Sequence, residues 1–360
     1  MQFRDLHRQY DAMRAEMDEA LLKTAHSGAY IMGPQVSELE QQLADYVGVK
    51  HCITCANGTD ALRMALMALS IGPGDAVFVP DFTFFATAEV VSEVGATPIF
   101  VDVDKDTYNL DVANLCNVCR QLEVKSKAVI AVDLFGQPAD YKSLVQFCKD
   151  FNLFLIEDGA QGFGGSINDK KACSFGDIAT TSFFPAKPLG CYGDGGALFT
   201  DDDHYADRLR SLRVHGKGTD KYDNVRLGFN SRLDTLQAAV LQVKLKHFDE
   251  ELGAVNRVAQ KYDKLLAGKV KTPVVPLGYT SSWAQYTIQI DHREEMQARL
   301  KATGIPSMVY YPRTMSQQTA FAYLKQKPCP VAEQLTKTVL SLPMHPYLTD
   351  EEIETVASLI

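Results

Sequence analysis

Apolar positions along the chain follow two rhythms, and the switches between them predict most of its elements. "SELEQQLADYVGV" repeats its apolar residues at helical spacing and stops at Gly48. "HCITCANGTDALRMALMALSI" then reads as a short apolar strand, a tight Asn57-Gly58 turn and a helix. After the turn "GPGD", the run "AVFVP" predicts a strand, and "DFTFFATAEVVSEVG" becomes helical in its second half. "TPIFVDVD", "AVIAVDLFG" and "LFLIEDGAQ" are further short apolar runs closed by polar turns, with helical stretches such as "DYKSLVQFCKDF" between them. Strands alternating with helices in this way predict an α/β fold whose mostly parallel central sheet is covered by helices on both faces.

From Leu233 onward, "LDTLQAAVLQVKLKHFDEELGAVNRVAQKYDKLLAG" keeps one long helical period. "AQYTIQID", "REEMQARLKATG", "SMVYYP" and a final helix follow, the pattern of a smaller α+β domain. The expected division is a large domain over residues 1–250 and a small C-terminal domain over 251–360.

Composition narrows the function classes. The chain has 360 residues, 46% hydrophobic and 22% charged, as expected of a globular protein with a sizeable core. A formal charge of −9 argues against a nucleic-acid partner, because phosphate contacts need a basic surface. The opening "MQFRDLHRQYDAMRAEMDEALL" is charged throughout, and no apolar run approaches the roughly 18–20 residues of a membrane span. A cytoplasmic protein without a membrane partner is expected.

Eight cysteines are too sparse for a disulfide scaffold. Of two C-x-x-C pairs, Cys52 and Cys55 lie in a predicted strand, where residues three apart face opposite sides. Cys116 and Cys119 share a face of a predicted helix, but one pair leaves a tetrahedral site half empty. No metal site is expected.

Ligands of an open α/β sheet gather at the carboxyl ends of its strands. At one end lies "ANGTD", where Gly58, Thr59 and the N–H groups behind them open a helix and favour an anion. The plainer reading there is a turn, with Thr59 or Asp60 capping the helix. At a second end lies Asp158, a carboxylate costly to bury without a partner, with Gln161 one turn on. A cationic ring nitrogen is one partner that would suit Asp158.

Lys187 stands between Pro185 and Pro188, followed by Gly190, Gly193, Gly195 and Gly196. Pro188 drives Lys187 toward an extended backbone, and the glycines permit close approach to a ligand. A lysine in a partly desolvated site loses its proton easily and becomes a Schiff-base nucleophile; the alternative is a solvated loop lysine. Phe84, after another strand, is either a ring that stacks on a ligand or a core residue.

A phosphate seat, a strand-end aspartate and a turn-held lysine are together what pyridoxal 5'-phosphate requires. Dinucleotide readings fail: Gly72-Pro-Gly74 lies before a strand and has Val77 where a third glycine belongs, and no G-x-x-x-x-G-K-[ST] occurs.

"CANGTDAL", "DFTFFATAE", "LIEDGAQGFG", "SFFPAKPLGCYGDGGALF", "RVHG" and "GFNSRLDTLQAAVL" resemble, in order and spacing, the fold-type I sugar aminotransferases of the DegT/DnrJ/EryC/StrS family. "DLHRQY", "SGAYIMGPQVSELE" and "LSLPMHPYL" extend the likeness over essentially the whole chain. The resemblance implies that Lys187 forms the Schiff base with the cofactor and that Asp158 binds its pyridinium. It places Gln161 at the ring hydroxyl, Phe84 on the ring face, and Gly58, Thr59 and Ser182 at the phosphate. Asn230 is implied to reach the phosphate of a neighbouring subunit, hence a homodimer with shared active sites.

Relatives that act as dehydratases replace the lysine by histidine, so Lys187 implies transamination, with glutamate as donor and pyridoxamine phosphate as the intermediate cofactor form. Within the family the motifs are most similar to members that aminate UDP-2-acetamido-2-deoxy-3-oxo-glucuronate for bacterial surface polysaccharide. Arg232 fits a uronate carboxylate, which a guanidinium binds through two parallel hydrogen bonds; the alternative is an ion pair with Asp234. Tyr30, Tyr310 and Tyr311 are the other substrate contacts the resemblance implies. One position departs, since such members often carry His-Tyr-Pro where this chain has Tyr310-Tyr311-Pro312. The competing expectations are a relative acting on a 4-keto or dTDP-linked sugar, and a non-catalytic regulator that keeps the fold.

Overall fold

Five short apolar segments supply the first half of the central sheet: β1 (His51–Cys55), β2 (Ala76–Pro80), β3 (Thr97–Val101), β4 (Ser126–Val132) and β5 (Phe154–Asp158). A small ribbon, β6 (Ser166–Ile167) and β7 (Lys170–Lys171), separates them from β8 (Ile178–Ser182) and β9 (Gly196–Thr200). The computed structural model describes residues 1–122, 125–220 and 222–360. The sheet order is β1-β9-β8-β5-β4-β2-β3. Only β9 runs against the other six strands.

Alternation within these strands sorts their side chains to two faces. Val77, Val79, Ala128, Ile130 and Ile156 join a core with α3 (Gly58–Ala68), α4 (Ala86–Glu93) and α7 (Asp203–Leu212). Phe78, Val129, Ala131 and Leu155 point the other way, into a core with α5 (Val112–Gln121) and α6 (Tyr141–Phe151). On that same side, Cys52, Ala179, Ala197 and Phe199 meet α1 (Leu6–Ser27), α2 (Pro34–Val47) and the first half of α8 (Thr235–Leu266). Helices thus cover both faces, and the strands are apolar on both, as the short continuous runs predicted.

The long helical period is one helix of 32 residues, α8, and position 250 falls inside it. Its second half packs in a further core spanning Val255 to Ala357 with β11 (Tyr286–Gln289), β12 (Val339–Leu342), α9 (Arg293–Ala302) and α11 (Asp350–Ser358). A short strand, β10 (Tyr279–Thr280), crosses back to pair with β6, and α10 (Pro330–Thr338) sends Ala332 and Leu335 into the α3–α4 core. All eight cysteines are free, and no group of three or more metal-ligating side chains gathers among the described residues. No helix among them is long and apolar enough to cross a membrane.

Candidate active site

Because β1, β5 and β8 are parallel, their carboxyl ends open on one edge, and reversed β9 begins there at Gly196. Register sets Gly196 opposite both Cys55 and Ser182. A Cβ on Gly196 would stand 2.6 Å from the carbonyl carbon and oxygen of Asn57, and one on Gly58 would stand 2.7 Å from Ser182 Cβ. Both are closer than real Cβ atoms come, so the turns after β1 and β8 meet only because these positions are glycine.

The helix cap differs from the expected one. Asn57, not Thr59 or Asp60, caps α3: its Oδ1 accepts from the Asp60 N–H at 2.8 Å. An extended Asn just outside the helix reaches the third turn amide, which leaves the Gly58 and Thr59 N–H groups without intrahelical acceptors. With the Ser182 hydroxyl alongside, this is a seat for a phosphate.

Asp158 closes β5 almost fully buried. One oxygen accepts from the Thr87 hydroxyl at 2.9 Å, the other from the Ala160 N–H at 3.2 Å. Bonds of this kind contribute about 1.5–3 kcal/mol each, set against a burial penalty of several kcal/mol for a carboxylate. Burial dominates, and the Asp158 pKa is raised, though the Thr87 and Ala160 bonds and the Lys187 charge pull it back. A cation facing Asp158 would therefore be held firmly.

Lys187 sits partly exposed in the turn between β8 and β9, its N–H bonded to the Phe184 carbonyl at 2.8 Å. Desolvation lowers its amine pKa, Asp158 raises it and Arg4 lowers it. This is not the solvated loop lysine of the plainer reading.

Gln161 is fixed at both ends. Its Oε1 accepts from the Phe135 N–H at 2.7 Å, and its Nε2 donates to the Tyr311 hydroxyl at 3.1 Å. Phe84 is 55% exposed, which excludes the core alternative, and its ring lies 6.3 Å from that of Tyr311. Burial raises the Tyr311 hydroxyl well above its ordinary pKa. Tyr310 is half-buried, edge-on to Phe3 at 6.2 Å.

Tyr30, Asn230 and Arg232 form a separate group. The Tyr30 carbonyl accepts from the Thr235 N–H at 2.9 Å, and Ile31 bridges to Asp234. Ser231 leans on the phosphate turn, donating to Asp60 at 2.8 Å and accepting from the Ala56 N–H at 3.1 Å. Asn230 is left exposed. No hydrogen bond, ion pair or ring contact joins the three to Lys187 or Asp158 among the described residues, and the Arg232–Asp234 ion pair is likewise absent there.

Three contributors escaped the sequence reading. Thr87 lay inside a quoted motif, a hydroxyl at helical spacing behind a strand end. Ser231 lay inside another. Arg4 sits in a charged opening with no motif to mark it, yet it bonds the lysine turn.

A buried acid, a lysine within its electrostatic reach and a glycine-lined turn that could hold an anion thus gather at one edge of the sheet. Residues 11–360 match the DegT/DnrJ/EryC1/StrS aminotransferase family, and the chain belongs to it. It is 45% identical to the UDP-2-acetamido-2-deoxy-3-oxo-D-glucuronate aminotransferase of Pseudomonas aeruginosa, over 100% of this chain and 99% of that one. It is 43% identical to the UDP-N-acetyl-3-dehydro-alpha-D-glucosamine 3-aminotransferase of Acidithiobacillus ferrooxidans, over 99% and 96%. A crystal structure of a family aminotransferase from Brucella abortus superposes with a TM-score of 0.98 at 48% identity, covering 100% of this chain and 98% of that one. The family is pyridoxal-phosphate dependent, its members are sugar aminotransferases, and the fold is that of fold-type I.

Proposed function

We propose that this chain moves the amino group of glutamate to the 3-keto carbon of UDP-2-acetamido-2-deoxy-3-oxo-glucuronate, in the making of a bacterial surface polysaccharide such as an O-antigen. The observation that carries this reading is that Lys187 comes within electrostatic reach of buried Asp158 at the sheet edge that also holds the Gly58–Ser182 turn. The residues present fit pyridoxal phosphate, which, when bound, supplies an electron sink that makes the donor's Cα–H acidic. Ser182 and the Gly58 and Thr59 amides hold the phosphate. Asp158, oriented by Thr87, would keep the ring nitrogen protonated, with Phe84 and Gln161 as the residues that would hold the ring and its hydroxyl.

Lys187, whose amine gives up its proton readily, anchors the cofactor, then takes the proton from the donor Cα and later returns one to the sugar carbon. One water supplies the carbonyl oxygen with which the donor leaves as 2-oxoglutarate, and the sugar's keto oxygen leaves as another.

A homodimer with shared sites belongs to this reading. Exposed apolar residues, Tyr30, Ile31, Met32, Phe184, Val225 and Leu227 among them, flank the lysine turn and the Asn230 loop. On the partner's site, Asn230 would reach the phosphate, and Arg232 and Tyr30 the sugar, with Tyr310 and Tyr311 completing it from the other chain. The division at residue 250 into cofactor-binding and smaller units is supported by the separate Val255–Ala357 core.

Purified protein given pyridoxal phosphate is expected to turn yellow, and Lys187→Ala to lose both the visible band and transamination, by at least about a thousandfold. A colourless protein indifferent to the cofactor would refute the chemistry. A panel of nucleotide keto sugars assayed with glutamate tests the substrate: faster turnover of a neutral 3-keto or 4-keto sugar than of the uronate overturns that assignment.

A further inference from the structure

The lysine turn is tied down by a residue remote from it in sequence. Arg4 Nη2 donates to the Lys187 carbonyl at 2.9 Å and to the Pro188 carbonyl at 3.3 Å. No carboxylate forms a salt bridge with Arg4 among the described residues; Glu251 and Tyr347 act on it only at longer range. A guanidinium held in so crowded a place without an ion pair is costly, and the hydrogen bonds it makes there both go to the turn that carries the lysine.

Arg4 itself is fixed from both sides. The Phe3 carbonyl accepts from the Met344 N–H at 3.1 Å, and Asp5 caps α1 by accepting from the Arg8 N–H at 2.9 Å. The strap therefore presents the guanidinium in one place instead of letting it search.

We propose that Arg4 is a positioning residue for Lys187, clamping the backbone of residues 187 and 188 so that the amine is held beside Asp158. The other fixed points of the turn flank residues 187 and 188: Cys191 N–H bonds the Phe183 carbonyl at 2.8 Å, Tyr192 N–H bonds Gln237 at 2.7 Å, and Leu189 is buried. Pro188 itself has no N–H, and the Lys187 N–H is spent on the Phe184 carbonyl within the same turn. The charged groups acting on the amine are Asp158 from β5 and Arg4 from the strap. Removing the Arg4 charge should let the amine hold its proton to higher pH. The cofactor part of this inference rests on the reading proposed above; the clamp on the turn does not.

The test compares native protein with Arg4→Met, which keeps bulk but not donors or charge, and Arg4→Lys, which keeps charge but offers a single amine. In the cofactor-free protein, Arg4→Met is expected to speed amide exchange in peptides covering residues 183–192 while leaving α3 and α5 unchanged. With pyridoxal phosphate, it should bind about tenfold more weakly, and the pH midpoint of the visible band should move upward. Arg4→Lys should restore the midpoint and only part of the affinity. Native exchange across 183–192 with native affinity and midpoint in a folded Arg4→Met protein overturns the proposal. If Arg4→Met does not fold, Arg4→Lys decides: native affinity together with native exchange overturns it. A protein that never binds the cofactor refutes the functional reading, while the exchange measurement still judges the clamp.

Discussion

Arg232 carries a guanidinium that no carboxylate of its own chain engages among the described residues. Left open beside exposed Asn230, it suits the carboxylate of a uronate bound on a neighbouring subunit. Arg232→Ala is expected to cut kcat/KM on the uronate about a hundredfold and on a neutral keto sugar only a few-fold; Arg232→Lys should recover only part, because an ammonium cannot match the two-point geometry. Steady-state kinetics on both sugars checks this, and equal losses would make Arg232 structural. At this scale Lys187, Asp158 and Gln161 stood out as candidates because turn chemistry and a strand end marked them, whereas Ser182 came only from the family resemblance. Arg4 did not stand out, since a long-range bond to a carbonyl leaves no trace in local sequence.

β5 ends in two acids with opposite duties. Alternation sends Asp158 to the site and Glu157 to the other face, where it accepts from the N–H groups of Cys173 and Phe175. Asp133, at the end of neighbouring β4, accepts from Ala139 N–H at 3.1 Å and Tyr141 hydroxyl at 2.7 Å. With both groups ionised, Asp133 Oδ2 finds no donor. Protonating Asp133 removes that deficit, and burial pushes Asp133 well above its ordinary value and Glu157 up to about 7.

Glu157 in turn keeps, up to about pH 7, a proton that the unfolded chain releases near 4.5, the ordinary glutamate value. Its contribution to stability is whole below that pH and is lost as pH rises through about 7. Glu157→Gln removes the group that titrates in this window and should flatten this dependence. Thermal melts are expected to show Tm falling by several degrees over the window in the native protein and by less than half as much in the variant; parallel curves would sink the role of Glu157. The strand was plain in "LFLIED", but its second acid was not, because pairing across β4 and β5 is tertiary.

At the scale of the molecule, the sheet and its helices followed from periodicity, whereas the reversal of β9 did not, since an apolar run is silent about direction. In the proposed homodimer the Tyr30–Asn230–Arg232 group serves the site of the neighbouring chain. Two inactive variants therefore test it together: Lys187→Ala mixed with Asn230→Ala under subunit exchange should regain about a quarter of native activity, one good site in each hybrid dimer. No recovery would mean that each chain completes its own site.

The seating of Phe3 against Met344 also sets an order of events. The arginine of the strap precedes Met344 by most of the chain, so the lysine turn stays unfinished until that distant segment has been made and has reached Phe3.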